Sequence, residues 1–289
     1  MKLIATDLDG TLLNEKGNVS LENAQAIRKA LDMGIQVVVA TGRSYDAANK
    51  PIQEVGLSLP IISLNGANTY TKEKELIRDI PMDRSICKKI QTVCEEENMY
   101  FEVFTNKGIF SLSRDDFKQV IMDIMMTAHP TISKEEIELA VEQRFQDEEV
   151  QFISNYDELF KDKNINIYKI LAFSLDNSTL QKVRETFTDH SSVKITSSGS
   201  INLEFNDPQA QKGIALSLFA ESQNISMQDV MALGDNYNDL SMLTLAGRGV
   251  AMGNAEEGIK QQCDFITKEN KQNGVAYAIE EMLKEVNLS

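Results

Sequence analysis

The chain has 289 residues, 42% of them apolar and 25% charged, enough for about two domains with buried cores and too apolar for a disordered chain. A formal charge of −15, from 44 acidic and 29 basic residues, excludes nucleic acid and anionic membrane as partners, because those surfaces need clustered Lys and Arg. An anionic substrate would need positive charge supplied locally at its site.

Residues 2–6 read as a strand running into Asp7-Leu8-Asp9-Gly10-Thr11-Leu12-Leu13. Side chains two apart on extended backbone share a face, so the Asp7 and Asp9 carboxylates point the same way before the glycine turns the chain. Two close anions require a proton or a cation between them. That layout suits a carboxylate nucleophile with a proton-transfer partner and a divalent metal. Ser20 then opens an amphipathic helix with Leu21, Ala24, Ile27 and Leu31 at helical spacing and Gly34 as its stop. Residues 35–40 form an apolar, β-branched run of the kind found in buried parallel strands. Thr41-Gly42-Arg43-Ser44 turns into a second helix ending at Gly56, and residues 60–64 form a third strand ending at Asn65-Gly66. Strand and helix alternate, which predicts an α/β chain with a doubly wound parallel sheet.

Between about 82 and 197 the texture changes to long acidic helices (83–97, 114–128, 134–148) mixed with strands at 101–104, 109–112 and 167–173. This predicts an α+β domain inserted into a core made of 1–81 and 198–289, with Pro81 and Gly199 near crossings that would serve as hinges. Cys87 and Cys94 lie on a predicted helix, and with Cys263 they form neither a metal pattern nor a disulfide framework, so packing roles are expected. His129 and His190 have no partner pattern and are expected to be structural. After 200 the alternation resumes, with strands at 201–205, 229–233 and 249–252 and helices from Gln211, over 239–245 and over 275–286. No apolar run approaches about 18 residues, and too few apolar residues precede Asp7 for a signal sequence, so a cytoplasmic, soluble chain is expected.

Four motifs fall at predicted strand ends or helix starts: Asp7/Asp9, Thr41-Gly42-Arg43, Lys212-Gly213, and Gly234-Asp235-Asn236-Tyr237-Asn238-Asp239. In open α/β sheets such loops converge on one crevice at the carboxyl ends of the strands. Asp7 and Asp235 suit Mg²⁺, a hard ion that takes oxygen ligands, and the Asp9 backbone carbonyl supplies a third oxygen. Asp239, four residues after Asp235 on the same predicted helix face, adds a ligand or orients one, with Asn236 beside it. Thr41 offers a hydroxyl, Gly42 an amide at a helix start, and Lys212 the positive charge the chain otherwise lacks. Arg43 follows as a substrate contact or a surface ion pair.

In order and spacing these motifs resemble the haloacid dehalogenase superfamily, in the Cof-type group carrying a C2-type cap between the Thr41 and Lys212 motifs. The segment 206–211 lacks a glycine associated with that group. The resemblance implies a Rossmann-like core and a Mg²⁺-dependent phosphatase working through an aspartyl-phosphate. It implies Asp7 as nucleophile, Asp9 as general acid and base, and Asp7, Asp9 and Asp235 on the metal. Leu8, Thr41, Gly42, Lys212 and Asn238 would hold the phosphate. Small soluble phosphate monoesters are the expected substrates, sugar phosphates foremost, with nucleotides and phosphorylated cofactors behind them. A phosphomutase or phosphotransferase sharing the intermediate, and a phosphosugar-binding regulator without turnover, are the rival readings. No Walker loop supports an NTPase.

Overall fold

The first strand, β1 (Leu3–Thr6), is buried along its whole length, as an apolar run between two parallel neighbours must be. α1 (Leu21–Asp32) begins at Ser20, whose side chain accepts the Asn23 amide. Its buried face is Asn23, Ala24, Ala26, Ile27 and Ala30. Leu21 precedes Asn23 by two positions, about 200° around the helix. It is therefore 70% exposed, and Leu31 at the edge of the stripe is 38% exposed, contrary to the expected face. β2 (Gln36–Ala40), α2 (Tyr45–Glu54) and β3 (Ile61–Ser63) follow close to expectation. β4 (Asn68–Tyr70) and β5 (Leu76–Asp79) then extend the sheet antiparallel. These short strands were not legible, because β5 leaves Leu76 and Ile77 exposed and neither shows alternation.

The structure is a computed structural model that describes residues 1–115, 118, 119, 122, 133, 135, 139, 150–199 and 201–288. The inserted unit, Ile80–Pro208, starts with α3 (Arg84–Glu96), capped by Asp83 accepting the Ser85 and Ile86 amides. β6 (Tyr100–Thr105), β7 (Gly108–Ser111), β8 (Val150–Phe152), α4 (Tyr156–Lys161), β9 (Ile167–Phe173), α5 (Asn177–Thr186), β10 (Lys194–Thr196) and β11 (Asn202–Asn206) follow. The sheet runs β10-β11-β9-β6-β7-β8, antiparallel except at β7–β8. The strand expected at 201–205 as the first of the returning core belongs here instead: β11 pairs β9 antiparallel, with Leu203 opposite Ala172 and Phe205 opposite Ile170. Its alternation is the reason. Leu203 and Phe205 enter this unit's apolar cluster, while Glu204 on the other face meets Lys169 at 3.2 Å. Cys87 and Cys94 are buried on α3, and burial pushes both thiols up to about 12, which suits packing. Most of the helices expected over 114–128 and 134–148, and His129, lie outside the described residues.

The chain returns to the first unit, Met1–Asp79 with Gln209–Ser289, through α6 (Lys212–Ser222), β12 (Val230–Gly234), α7 (Leu240–Leu245), β13 (Arg248–Ala251), α8 (Glu257–Lys260), β14 (Phe265–Ile266) and α9 (Gly274–Leu288). Its sheet runs β14-β13-β12-β1-β2-β3-β4-β5, parallel from β14 to β3. β1 lies between β2 and β12, so the strand order reverses there, and the carboxyl ends of β1, β2 and β12 open on one crevice. This unit has its own buried cluster, built on Leu3, Ile4, Val38, Val39, Ala232 and Leu233 among others. Among the described residues, no helix is long and apolar enough to cross a membrane.

α6 and α7 approach closely at Gly213, whose amide donates to Ser241 Oγ at 3.0 Å. A Cβ there would lie 2.2 Å from the Ser241 carbonyl oxygen. Gly213→Ala gains helix propensity of about 1 kcal/mol. Overpacking against a neighbouring backbone costs about 1–3 kcal/mol, so net destabilisation is expected in urea unfolding. Unchanged or increased stability would show that α6 and α7 can part without cost.

Candidate active site

Asp7 leaves β1 with its amide bonded to the Leu233 carbonyl of β12 at 2.9 Å. The chain then makes a wide turn in which Leu12 bonds back to Asp7 (3.3 Å) and Leu13 to Leu8 (2.9 Å). Asp9 inside it is extended (φ −74°, ψ 131°) and Gly10 is left-handed (φ 70°). Glycine is required at that point twice over. The left-handed conformation disfavours a side chain, and a Cβ would sit 2.3 Å from Asp235 Oδ2.

The two motif carboxylates are engaged by different cations. Asp7 is buried and accepts Lys212 Nζ at 2.7 Å. Asp9 is more than half exposed and is gripped by Arg43, Nε to Oδ2 at 2.8 Å and Nη2 to Oδ1 at 2.5 Å. Of the two readings left open for Arg43, the structure shows an ion pair, made with Asp9. Lys212, fully buried at the start of α6, also donates to Asp239 Oδ1 at 2.6 Å. Asp239 Oδ2 accepts the backbone amides of Asp235 (2.9 Å) and Asn236 (3.0 Å). The expectation that Asp235 and Asp239 share a helix face is corrected here. Asp235 lies in the loop after β12 and Asp239 is the N-cap of α7, so the loop's own turn brings them together. Asp235 Oδ1 accepts the Thr11 hydroxyl at 3.1 Å.

Thr41 is buried after β2, and its hydroxyl oxygen accepts the Arg43 amide at 3.1 Å. Gly42 precedes α2, Leu8 is buried in the turn, and Asn236 Oδ1 accepts the Tyr237 amide at 2.8 Å. Asn238 is buried with Nδ2 3.4 Å from Asn65 Oδ1. Asn65 is a residue that reading the sequence missed. It follows β3 and, with Leu64 and Gly66, forms three successive left-handed residues (φ 59°, 48° and 101°), a strained path of the kind concentrated at functional sites. Its signal was the Asn-Gly pair at a strand's carboxyl end, read only as a stop. Thr11, read as a turn hydroxyl, was likewise not assigned to Asp235.

Asp7, Asp235 and Asp239 offer carboxylate oxygens within 4.8 Å of one another. Burial pushes the Asp7 carboxyl well up, reinforced by Asp239 and only partly opposed by Lys212. Asp235 is raised to about 7 by burial first and then by Asp239, with Lys212 opposing. Burial alone would lower the Lys212 ammonium, but Asp239 and Asp7 outweigh it and raise it. Three acids against one ammonium leave surplus negative charge on hard oxygen atoms. That donor set fits a small divalent cation such as Mg²⁺.

A carboxyl raised in the folded state binds more protons folded than unfolded between about pH 4 and 7, so metal-free stability falls as pH rises through that window. A divalent cation favours the ionised form and must displace protons at low pH. Mg²⁺ should therefore raise the melting temperature more at about pH 8 than at about pH 5. An increment independent of pH would break the link between Asp235 and the cation.

The sequence pattern of the haloacid dehalogenase-like hydrolases matches residues 4–279. Phosphatase YwpJ of Bacillus subtilis is 37% identical over 98% of this chain and 100% of its own length. The 5-amino-6-(5-phospho-D-ribitylamino)uracil phosphatase YwtE of the same organism is 36% identical, covering 98% of each chain. A solved haloacid dehalogenase-like hydrolase from B. subtilis superimposes with a TM-score of 0.89 at 37% identity, covering 97% of this chain and 99% of that one. Pattern, relatives and fold agree over nearly the whole length, and the chain belongs to the haloacid dehalogenase-like hydrolases, as a phosphatase of the Cof type.

Proposed function

We propose that this enzyme hydrolyses small soluble phosphate monoesters, sugar phosphates foremost, with Mg²⁺ and through an aspartyl-phosphate on Asp7. The observation that carries the reading is the buried Lys212 ammonium bridging Asp7 and Asp239 at the carboxyl end of the sheet. It pins one oxygen of Asp7 and leaves the other to attack, and it brings positive charge to a strongly acidic chain. The YwtE relative acts on a phosphorylated ribityl chain, which supports a polyhydroxylated substrate.

In the first step an Asp7 carboxylate oxygen attacks phosphorus, the ester P–O bond breaks, and Asp9, protonated and turned from Arg43 toward the substrate, gives its proton to the departing sugar oxygen. In the second, Asp9 takes a proton from water as that water attacks phosphorus. The bond to Asp7 then breaks and inorganic phosphate leaves. Lys212, the Thr41 hydroxyl and the backbone of Leu8 and Gly42, with Asn238, would hold phosphate oxygens as charge develops on them. Asp7, Asp235 and the Asp9 carbonyl would hold Mg²⁺, which neutralises charge on the phosphoryl group when bound. Asp239, with both oxygens already bonded inside the protein, serves to orient Lys212 and the Asp235 loop.

A panel of phosphate esters with Mg²⁺ should show release of inorganic phosphate that chelator abolishes and added Mg²⁺ restores. Full activity in chelator would remove the metal from this scheme. Asp7→Asn should form no phosphoenzyme with any substrate. Asp9→Asn should lose roughly 10²–10⁴-fold on a sugar phosphate, whose leaving group needs the proton. An aryl phosphate leaves unaided, so the same variant should give one burst of phenolate per site and then stall. Steady turnover of the aryl ester at the unmodified rate would reassign Asp9.

A further inference from the structure

The turn that carries Asp7 and Asp9 is held from outside by asparagine side chains. Asn254, in the loop after β13, donates Nδ2–H to the Gly10 carbonyl at 2.8 Å. Its Oδ1 accepts the backbone amide of Asn270 at 2.8 Å. Asn270 in turn donates Nδ2–H to the Leu13 carbonyl at 3.0 Å. Two side chains thus close a loop from Gly10 to Leu13 through segments 244 and 257 residues away in sequence. From the opposite side, Asn23 donates to the Leu12 carbonyl at 3.1 Å and accepts the Ala276 amide at 2.9 Å. The Asn254 and Asn23 side-chain amides each give one hydrogen bond to a carbonyl and take one from a backbone amide, through separate nitrogen and oxygen atoms. The backbone partners also fix which end of Asn254 and of Asn23 is oxygen.

The clasp leads to the chemistry. The loop bearing Asn254 also holds the Asp235 carbonyl, through the Glu256 amide at 3.1 Å. Gly10 abuts the Asp235 carboxylate, and Thr11, between the clasped carbonyls, donates to it. The spacing between the turn and Asp235 is therefore set where Asn254 and Asn270 bridge them. We propose that Asn254 and Asn270 are positioning residues for phosphoryl transfer, holding the Asp7–Leu13 turn in register with the Asp235 loop. The proposal rests on the phosphatase reading above. Asn254 is exposed, so its truncation leaves no vacancy in the core.

The experiment compares the unmodified enzyme with Asn254→Ala, Asn270→Ala, the double variant and Asn254→Asp. It uses steady-state kinetics with Mg²⁺, thermal melting, and hydrogen exchange of a peptide spanning residues 8–14. Each single variant should lower kcat about 10-fold or more, as loss of an outer supporting partner does, with KM nearly unchanged. Melting should move by only a few degrees, and amides in the turn should exchange faster. The double variant should lose little beyond either single, because the two amides act as one chain. Asn254→Asp keeps the acceptor for Asn270 but turns an anion on the Gly10 carbonyl, so it should match the alanine variant. Unchanged exchange in the turn would overturn the clasp. Faster exchange with unmodified kcat, additive losses, or full activity in Asn254→Asp would overturn its positioning role. If the unmodified enzyme releases no phosphate from any ester, the functional reading fails, and the exchange data still decide the clasp.

Discussion

The organisation of the site depends on one buried ammonium. Lys212 stands at the first position of α6 with no solvent around it, and it is bonded to Asp7 at the end of β1 and to Asp239 at the cap of α7. An ammonium stripped of water is costly, by several kcal/mol even after relaxation, unless carboxylates surround it. Each of those carboxylates is equally costly without it. The three groups therefore specify one another's places, and three separate elements of the first unit are tied at a single point. What the ammonium leaves unbalanced is Asp235, whose carboxylate lies close enough to those of Asp7 and Asp239 that the three could hold a cation.

The scaffold explains why this point lies where it does. β1 sits where the strand order reverses, flanked by β2 and β12, so helices leave its two neighbours on divergent paths and a crevice remains at the carboxyl ends. Asp7, Thr41 and Asp235 each follow the last residues of one of these three strands. Rigid parallel strands set the spacing of such residues better than loops could, because every strand is held by neighbours on both sides. The turn after Asp7 is bound by Gly10 against Asp235 and by asparagine amides on its carbonyls.

Much of the first unit was readable because its signals are local. β1, β2, β3, β12 and β13 are short apolar runs ending in turn chemistry, and α1 starts at Ser20 with the expected cap. The Asp7, Thr41, Lys212 and Asp235 motifs could be found for the same reason: each needs a particular residue at a strand end or a helix start. Elements without such signals were lost. The antiparallel strands β4 and β5 carry too few buried apolar residues to show a period. β11 reads like any apolar strand until its alternating Glu204 is set against Lys169 on β9.

Composition and motif order were enough to indicate the α/β class and the family and to pick out the groups proposed as reactive, since these rest on residue types and short spacings. Partnership between groups far apart in sequence required the fold. That Asp9 is held by Arg43, that Asp239 caps the amides of the Asp235 loop, and that Asn254 and Asn270 reach the Gly10 and Leu13 carbonyls follows from strand register and loop path. Those are set by packing of the whole unit, and no local stretch of chain encodes them.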